Sequence, residues 1–391
     1  MSRFGIAFPL VAAVALLAAC DGAGSASTPV GSSVGSCPRA PGPVALVESG
    51  RQGSPEPVLD GRARDLVMGH VLSGRGGPQL TLVSVEGEPR VVAAHAFSSD
   101  AGNDAALADD RAAFLRGVEE AVAGLRAGTA EADPLGALAL GARAARQGTV
   151  VLADSGLQTV APLDFRQTGL LDADPADVVE HLRAQRRLPD LTGVTVVLSG
   201  IGDVAAPQLA LDSGRQGRLV AIWSAIATAG GAACVDVDRT PRVPAAVTGT
   251  PEVGIVEVPP PANPDLKSST LVLPDDEQVG FRRDTADFRS PDAARAALRP
   301  VAEWLTAHPD TAVSLTGTTA RVGDLPGQRR LALQRADAVK AVLVDAGIAG
   351  ERITTAGVGS EFAGYTPDHD ATGTLLPAEA ARNRTVLLEI R

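Results

Sequence analysis

Arg335 stands on a helical stretch that follows a loop rich in glycine, threonine and proline, Gly317-Thr318-Thr319-Ala320-Arg321-Val322-Gly323-Asp324-Leu325-Pro326. A planar guanidinium in that place can fork onto a carboxylate through two parallel N–H donors. Thr319 adds a hydroxyl to the same loop, and Asp324 a carboxylate. Read alone, Asp324 is equally an exposed turn residue, and Arg335 a surface arginine. Arg384 is a second guanidinium just before the last strand; read alone, it is a solvated charge that guards a sheet edge. This is binding chemistry, and nothing comparable points to catalysis. His70, His95, His181, His308 and His369 lack metal-ligand spacing, and no H-E-x-x-H occurs. No G-x-S-x-G elbow is present, and Gly200-Ile201-Gly202 is a tight turn rather than a dinucleotide loop. The sequence predicts a binding protein, with no enzymatic activity, no cofactor and no metal.

The elements that must position these groups follow from periodicity. Val313 and Leu315 alternate with polar neighbours, as in a half-buried strand, while Ala332, Ala336, Val339 and Leu343 recur at helical spacing. Strand, loop and amphipathic helix then set Arg335 beside the core-facing stripe, at the loop end of the helix. This stretch resembles the signature of the OmpA-like, peptidoglycan-associating domain, roughly G-H-T-D-x-x-G, a spacer and N-x-x-L-S-x-x-R-A. It stands here without a gap as Gly317-Thr318-Thr319-Ala320-Arg321-Val322-Gly323 and Gln328-Arg329-Arg330-Leu331-Ala332-Leu333-Gln334-Arg335-Ala336.

The resemblance implies an α+β domain whose ligand is the peptide stem of peptidoglycan, usually at its diaminopimelate. The family's arginine pairs with a ligand carboxylate and its aspartate with the ligand ammonium. Arg335 fits the first role, with Thr319 in the same loop, and Arg384 matches a family arginine near the groove. Ala320 replaces the aspartate and Gln328 the asparagine. Losing a charged partner costs about 1.5–3 kcal/mol, or about ten- to a hundredfold in affinity. Asp324 is the residue of this loop that would take the lost role over. The competing reading is an OmpA-like fold that has lost its ligand and serves as a protein-interaction module in an envelope complex.

Around this core, the first strand of the C-terminal domain is expected to begin at Val279-Gly280-Phe281, as the resemblance implies. Ser290-Pro291-Asp292 starts a helix with a capping hydroxyl, proline in the first turn and an acid at the positive end. Pro300 falls inside that helix, where proline costs about 3 kcal/mol unless a kink absorbs it. Residues 351–357 form a strand, 366–379 a polar loop, and 384–391 a closing strand that buries Val386, Leu388 and Ile390.

The N-terminal half alternates strand and helix periods. Strands are expected at 44–47, 80–85, 91–97, 149–153, 194–198 and 233–237, and helices at 61–72, 109–125, 135–146, 177–186 and 217–229. Apolar strands separated by helices predict a doubly wound, mostly parallel sheet covered on both faces. One hairpin, turned through Glu86-Gly87-Glu88-Pro89, makes the order resemble the von Willebrand factor A fold. That family often binds a divalent metal through D-x-S-x-S after its first strand. Here the position is Glu48-Ser49-Gly50-Arg51-Gln52, which lacks the paired hydroxyls, with further carboxylates at Asp133 and Asp154. Arg51 sets a cation where the metal would sit, so the site is expected to be degenerate.

Residues 1–19 are expected to be a lipoprotein signal peptide: Arg3, an apolar run over 4–17, and Leu17-Ala18-Ala19-Cys20. The ending resembles a bacterial lipoprotein box, which implies cleavage before Cys20 and lipidation of its sulfur, anchoring the chain to a membrane on the extracytoplasmic side. A Gly/Ser/Ala/Thr tether spans 20–36, the von Willebrand A-like α/β domain 37–238, a Pro-rich linker 239–268 and the OmpA-like α+β domain 269–391. Within the linker, 254–258 is a candidate edge strand. In an exported chain Cys37 and Cys234 form a natural disulfide pair, two buried thiols being the alternative. A net charge of −11 excludes a nucleic-acid partner, which needs a basic face. The expected partners are therefore peptidoglycan, a membrane through the lipid anchor, and an envelope protein.

Overall fold

A computed structural model describes residues 37–258 and 270–391, apart from residues 39, 41 and 277. The expected signal peptide over 1–19, the expected tether with Cys20, and part of the expected Pro-rich linker lie outside the described residues. Among the described residues no helix is long and apolar enough to cross a membrane.

The N-terminal half builds a six-stranded sheet in the order β3-β2-β1-β4-β5-β6. Its strands are β1 (Val44–Glu48), β2 (Gly76–Ser84), β3 (Arg90–Ser98), β4 (Thr149–Ala153), β5 (Thr195–Ser199) and β6 (Cys234–Asp238). All neighbours pair in parallel except the β2–β3 hairpin. β1, β4 and β5 are buried along their whole length, which is why they appear in the sequence as unbroken apolar runs. The helices are α1 (Gly61–Leu66, extended by a π turn at Val67–Val71), α2 (Asp104–Ala123), α3 (Pro134–Ala144), α4 (Pro175–Ala184) and α5 (Ser213–Ala229). They lie over two apolar clusters, one centred on Trp223 and Leu138, the other on Leu46 and Val67. A disulfide joins Cys37 to Cys234, 197 residues apart in sequence.

The C-terminal half carries a four-stranded sheet in the order β7-β10-β8-β9, from β7 (Thr270–Pro274), β8 (Val313–Thr318), β9 (Ile353–Gly359) and β10 (Thr385–Ile390). Only β8 and β9 are parallel. α6 (Pro291–Ala307) and α7 (Leu325–Asp345) cover one core, and α8 (Pro377–Asn383) precedes the last strand. α7 lies almost on the sheet. A Cβ at Gly317 would come within 1.9 Å of the Ala332 carbonyl oxygen, and one at Gly357 within 2.3 Å of the Arg329 oxygen. Gly317 and Gly357 face each other across β8 and β9, so two bare positions let the helix down and bring Arg335 to the strand ends.

Four expectations need correction. The first strand of this half is β7, not the segment at Val279-Gly280-Phe281. There the Asp276 carboxylate accepts the backbone N–H groups of Gln278 and Val279, and Asp275 that of Phe281, so side chains take the donors that a ladder would use. The polar loop expected over 366–379 is present but ends earlier, at Leu376, because α8 starts with Pro377 in its first turn. Pro300 leaves α6 unbroken, because the carbonyl it strands, four residues back at Ala296, is on an exposed face where water can serve it. Residues 239–258 run along the first sheet without forming an edge strand. Val256 exchanges its backbone hydrogen bonds with the Gln208 side chain, and Pro55 and Ala246 form an isolated bridge.

Candidate functional site

At the loop end of α7, a cavity of about 80 Å³ is lined by Asp174, Phe281, Arg283, Asp284, Thr319, Ala320, Gln328, Arg335 and Arg384, among others. Arg335 is only 4% exposed, and its guanidinium carbon lies 5.1 Å from the centre of the Phe281 ring. Among the described residues its one hydrogen bond runs from Nε to the Thr285 carbonyl oxygen, at 3.0 Å. Among the described residues its two remaining nitrogens form no ion pair, although Asp275 and Asp284 line the same cavity. Burial first, then the Arg384 and Arg289 guanidinium groups, hold Arg335 below the usual arginine range, with Asp275 pulling the other way. The cavity thus sets a buried cation among both arginines and acids, Asp275 and Asp284, and burial disfavours its charge unless a close anion meets it.

Thr319 is buried on the same wall, and its hydroxyl has no partner. Ala320, where the resemblance has an aspartate, is a buried apolar wall residue. Gln328 lines the cavity but its amide is used structurally, donating to the Gly323 carbonyl and accepting the Ser360 N–H, so it ties the loop to the end of β9. Asp324, the residue expected to take over the lost acidic role, stands outside the cavity lining. It is the N-cap of α7 and accepts the Gly327 N–H.

Arg384 and Arg283, at the rim, are already paired. Arg384 Nη2 meets Asp177 Oδ2 at 2.6 Å, and Arg283 Nη1 meets Asp177 Oδ1 at 2.7 Å and Asp174 Oδ1 at 3.1 Å. Asp174 is the N-cap of α4 and Asp177 lies in its first turn, wholly buried. Burial favours the neutral form of Asp174, but the Ala176 N–H and then the two arginines outweigh it and hold its carboxyl below the usual range. Arg384 is itself positioned by a buried acid. Asp368 accepts from Tyr365 Oη at 2.6 Å, the Arg321 N–H at 2.8 Å and Asn383 Nδ2 at 3.0 Å, with His369 Nδ1 at 2.9 Å. Burial opposes its charge, yet these donors keep its carboxyl low. The knot ties the loop of Thr319 and Ala320 to the turn that carries Arg384. Sequence reasoning missed Asp174, Asp177, Arg283 and Asp368; the only signal for the first two was a helix start, Asp174-Pro175-Ala176-Asp177.

Residues 280–373 match the OmpA family. The C-terminal half carries an OmpA-like domain. Three solved structures are similar to part of the chain. The peptidoglycan-associated lipoprotein of Burkholderia pseudomallei is 22% identical over 34% of this chain and 97% of its own, with a TM-score of 0.26. The periplasmic domain of Helicobacter pylori MotB is 16% identical over 31% and 80%, TM-score 0.26. The OmpA-like domain of FopA1 from Francisella tularensis is 17% identical over 31% and 70%, TM-score 0.24. No curated protein sequence matches the chain.

The first sheet has its own polar centre, at the carboxyl ends of β1 and β4. Arg51 reaches Asp154 Oδ2 at 3.4 Å and Ser155 Oγ at 3.1 Å, and Ser54 Oγ contacts the same two groups. Beside them Arg242 Nη1 meets Glu48 Oε2 at 3.3 Å. Burial drives the Glu48 carboxyl up to about 7, against the pull of Arg242. Asp133, the other candidate carboxylate, caps α3 through the Gly136 N–H. Among the described residues no group of three or more His, Cys, Asp or Glu side chains is arranged to hold a metal.

Proposed function

We propose that the OmpA-like domain binds the stem peptide of peptidoglycan non-covalently, with Arg335 receiving a carboxylate of diaminopimelate and Thr319 and Arg384 bordering it. The observation that carries this reading is Arg335 itself, buried, without an ion pair among the described residues and facing a cavity next to an unpartnered hydroxyl. A guanidinium so placed gains most from a planar carboxylate. In this reading the chain is an envelope protein, lipidated at Cys20 on the extracytoplasmic side of a membrane, that ties membrane to cell wall. Its role is binding, not catalysis. The first sheet is a degenerate von Willebrand A-like scaffold for protein contacts. Its strand order, with the antiparallel strand at one edge, supports that reading, and Arg51 paired to Asp154 takes the place of a metal.

A second reading keeps the fold and drops the wall ligand: the domain serves protein contacts. The small cavity and the engagement of Arg283 and Arg384 by acids of the N-terminal half favour it. Co-sedimentation with purified diaminopimelate-type peptidoglycan separates the two. Wild-type chain should pellet with the wall, Arg335→Ala should lose about ten- to a hundredfold in affinity, and wall whose diaminopimelate carboxylates have been amidated should bind poorly. Binding that ignores both changes overturns the wall reading in favour of the second.

A further inference from the structure

The cations around the cavity are served unequally. Among the described residues Arg335 makes no ion pair, while Arg384 and Arg283 hold Asp177 and Asp174. Those acids come from a helix packed against the other sheet, 207 residues from Arg384 in the case of Asp177. The contact is built rather than casual. His181 Nδ1, on the same helix, lies 2.9 Å from the Leu375 carbonyl oxygen. Ala378 and Ala381 of α8 are buried in the apolar cluster of the N-terminal half. Gly169, with φ +97, lies so near α8 that a Cβ there would sit 2.6 Å from the Ala378 oxygen. With α4 in place the cavity is about 80 Å³, whereas sites that engulf a small molecule run to about 300–1,000 Å³.

We propose that α4 is an internal competitor for the wall site: Asp177 stands in for the ligand carboxylate on Arg384, and a stem peptide gains full access only when α4 withdraws. The inference rests on the reading under Proposed function. Its logic is exchange of like for like. A carboxylate of the chain and a carboxylate of the ligand satisfy the same guanidinium, so the arginine has an acid in both states and the cost of opening lies in freeing α4. The ligand then favours the open state because only there does it also reach Arg335 and Thr319, and such a difference in contacts is what shifts a two-state equilibrium. Linkage runs both ways. Wall binding would release the acidic first turn of α4, and a protein that seized α4 would strengthen wall binding by the same factor.

The test uses the full chain in co-sedimentation with purified diaminopimelate-type peptidoglycan. Its forms are wild type, Asp174→Asn/Asp177→Asn, Arg283→Gln, and the double variant with Arg335→Ala added. Arg283→Gln cuts the contact from the opposite side, so the test survives if the double variant folds poorly. The double variant should bind about ten- to a hundredfold more tightly than wild type, Arg283→Gln, which keeps the Arg384–Asp177 pair, should gain less, and Arg335→Ala should remove the gain. Hydrogen exchange should speed up across α4 in the opened forms, and in wild type on addition of a diaminopimelate-containing muropeptide. If wild type binds through Arg335 but the opened forms bind no better, the competition is refuted and the wall reading stands. If no form pellets, the wall reading falls and the competition with it. A gain that persists without Arg335 places the ligand elsewhere and overturns both.

Discussion

The two polar centres of this chain hold arginines in opposite ways. At the ends of β1 and β4, Arg51 and Arg242 find Asp154 and Glu48 within the same half of the chain. At the end of α7, Arg335 makes no ion pair among the described residues, and Arg384 and Arg283 borrow their acids from α4, across the boundary between the sheets. A cation closed on a local acid is spent on the fold. A cation left open, or closed by a partner that can move away, remains free to serve a ligand. Both centres bury guanidinium groups; what separates them is where the counter-charge comes from.

Arg51→Ala should break this contrast most strongly. It leaves Asp154 buried without its cation, and removing one member of a buried pair costs about 3–5 kcal/mol, read as a fall in thermal midpoint. Arg335→Ala breaks no ion pair, losing only the bond to Thr285 and packing on Phe281, and should lower the midpoint less than Arg51→Ala while wall binding falls. An equal loss of stability in both variants would erase the distinction.

Next in size is the pH response of Glu48. Its folded pKa of about 7 lies above the ordinary 4.5, so burial favours the protonated form. The contribution to stability is complete below about pH 4.5 and disappears as pH rises through about 7, a loss of up to about 3 kcal/mol. Glu48→Gln should flatten that slope in melting curves taken from pH 4 to 8. A slope unchanged in the variant would assign the titration to another group.

The smallest effect is expected from Ala320→Asp, which returns an acid to the cavity wall near Arg335. Against diaminopimelate-type wall it should tighten binding by about tenfold, since one charge-assisted contact is restored. Weaker binding would mean that the new acid occupies Arg335 itself and makes the second centre as self-contained as the first.

Much of the fold was legible in the sequence. The apolar runs at 149–153 and 194–198 could be strands and little else, and the stripe Ala332, Ala336, Val339, Leu343 set the face of α7. Gly317 could be noticed as part of a motif, but its reason, room for the Ala332 carbonyl, needs the helix to be in place. The site was half legible. Arg335 stands out because its loop and helix are contiguous. Asp177 does not, because an acid in the first turn of a helix looks the same whether it only favours the helix dipole or also clamps a distant arginine. Phe281 misled, since the acids that take its backbone donors lie outside any periodic pattern.

The disulfide has a mechanical meaning. Cys37 precedes β1, and Cys234 is the first residue of β6, the last strand of the six-stranded sheet. A pull applied ahead of Cys37 and resisted at the C-terminal domain therefore crosses the sulfur bridge, runs down the few residues of β6 and leaves along 239–258. The residues between the two cysteines form a closed side loop that the pull reaches only through the contacts of α4 with Arg384, Arg283 and Leu375. Force would peel the 239–258 segment from its seat on Gln208 and Pro55 long before it stretched β1 or β4, so the first sheet could keep its shape while the chain beside it is taut.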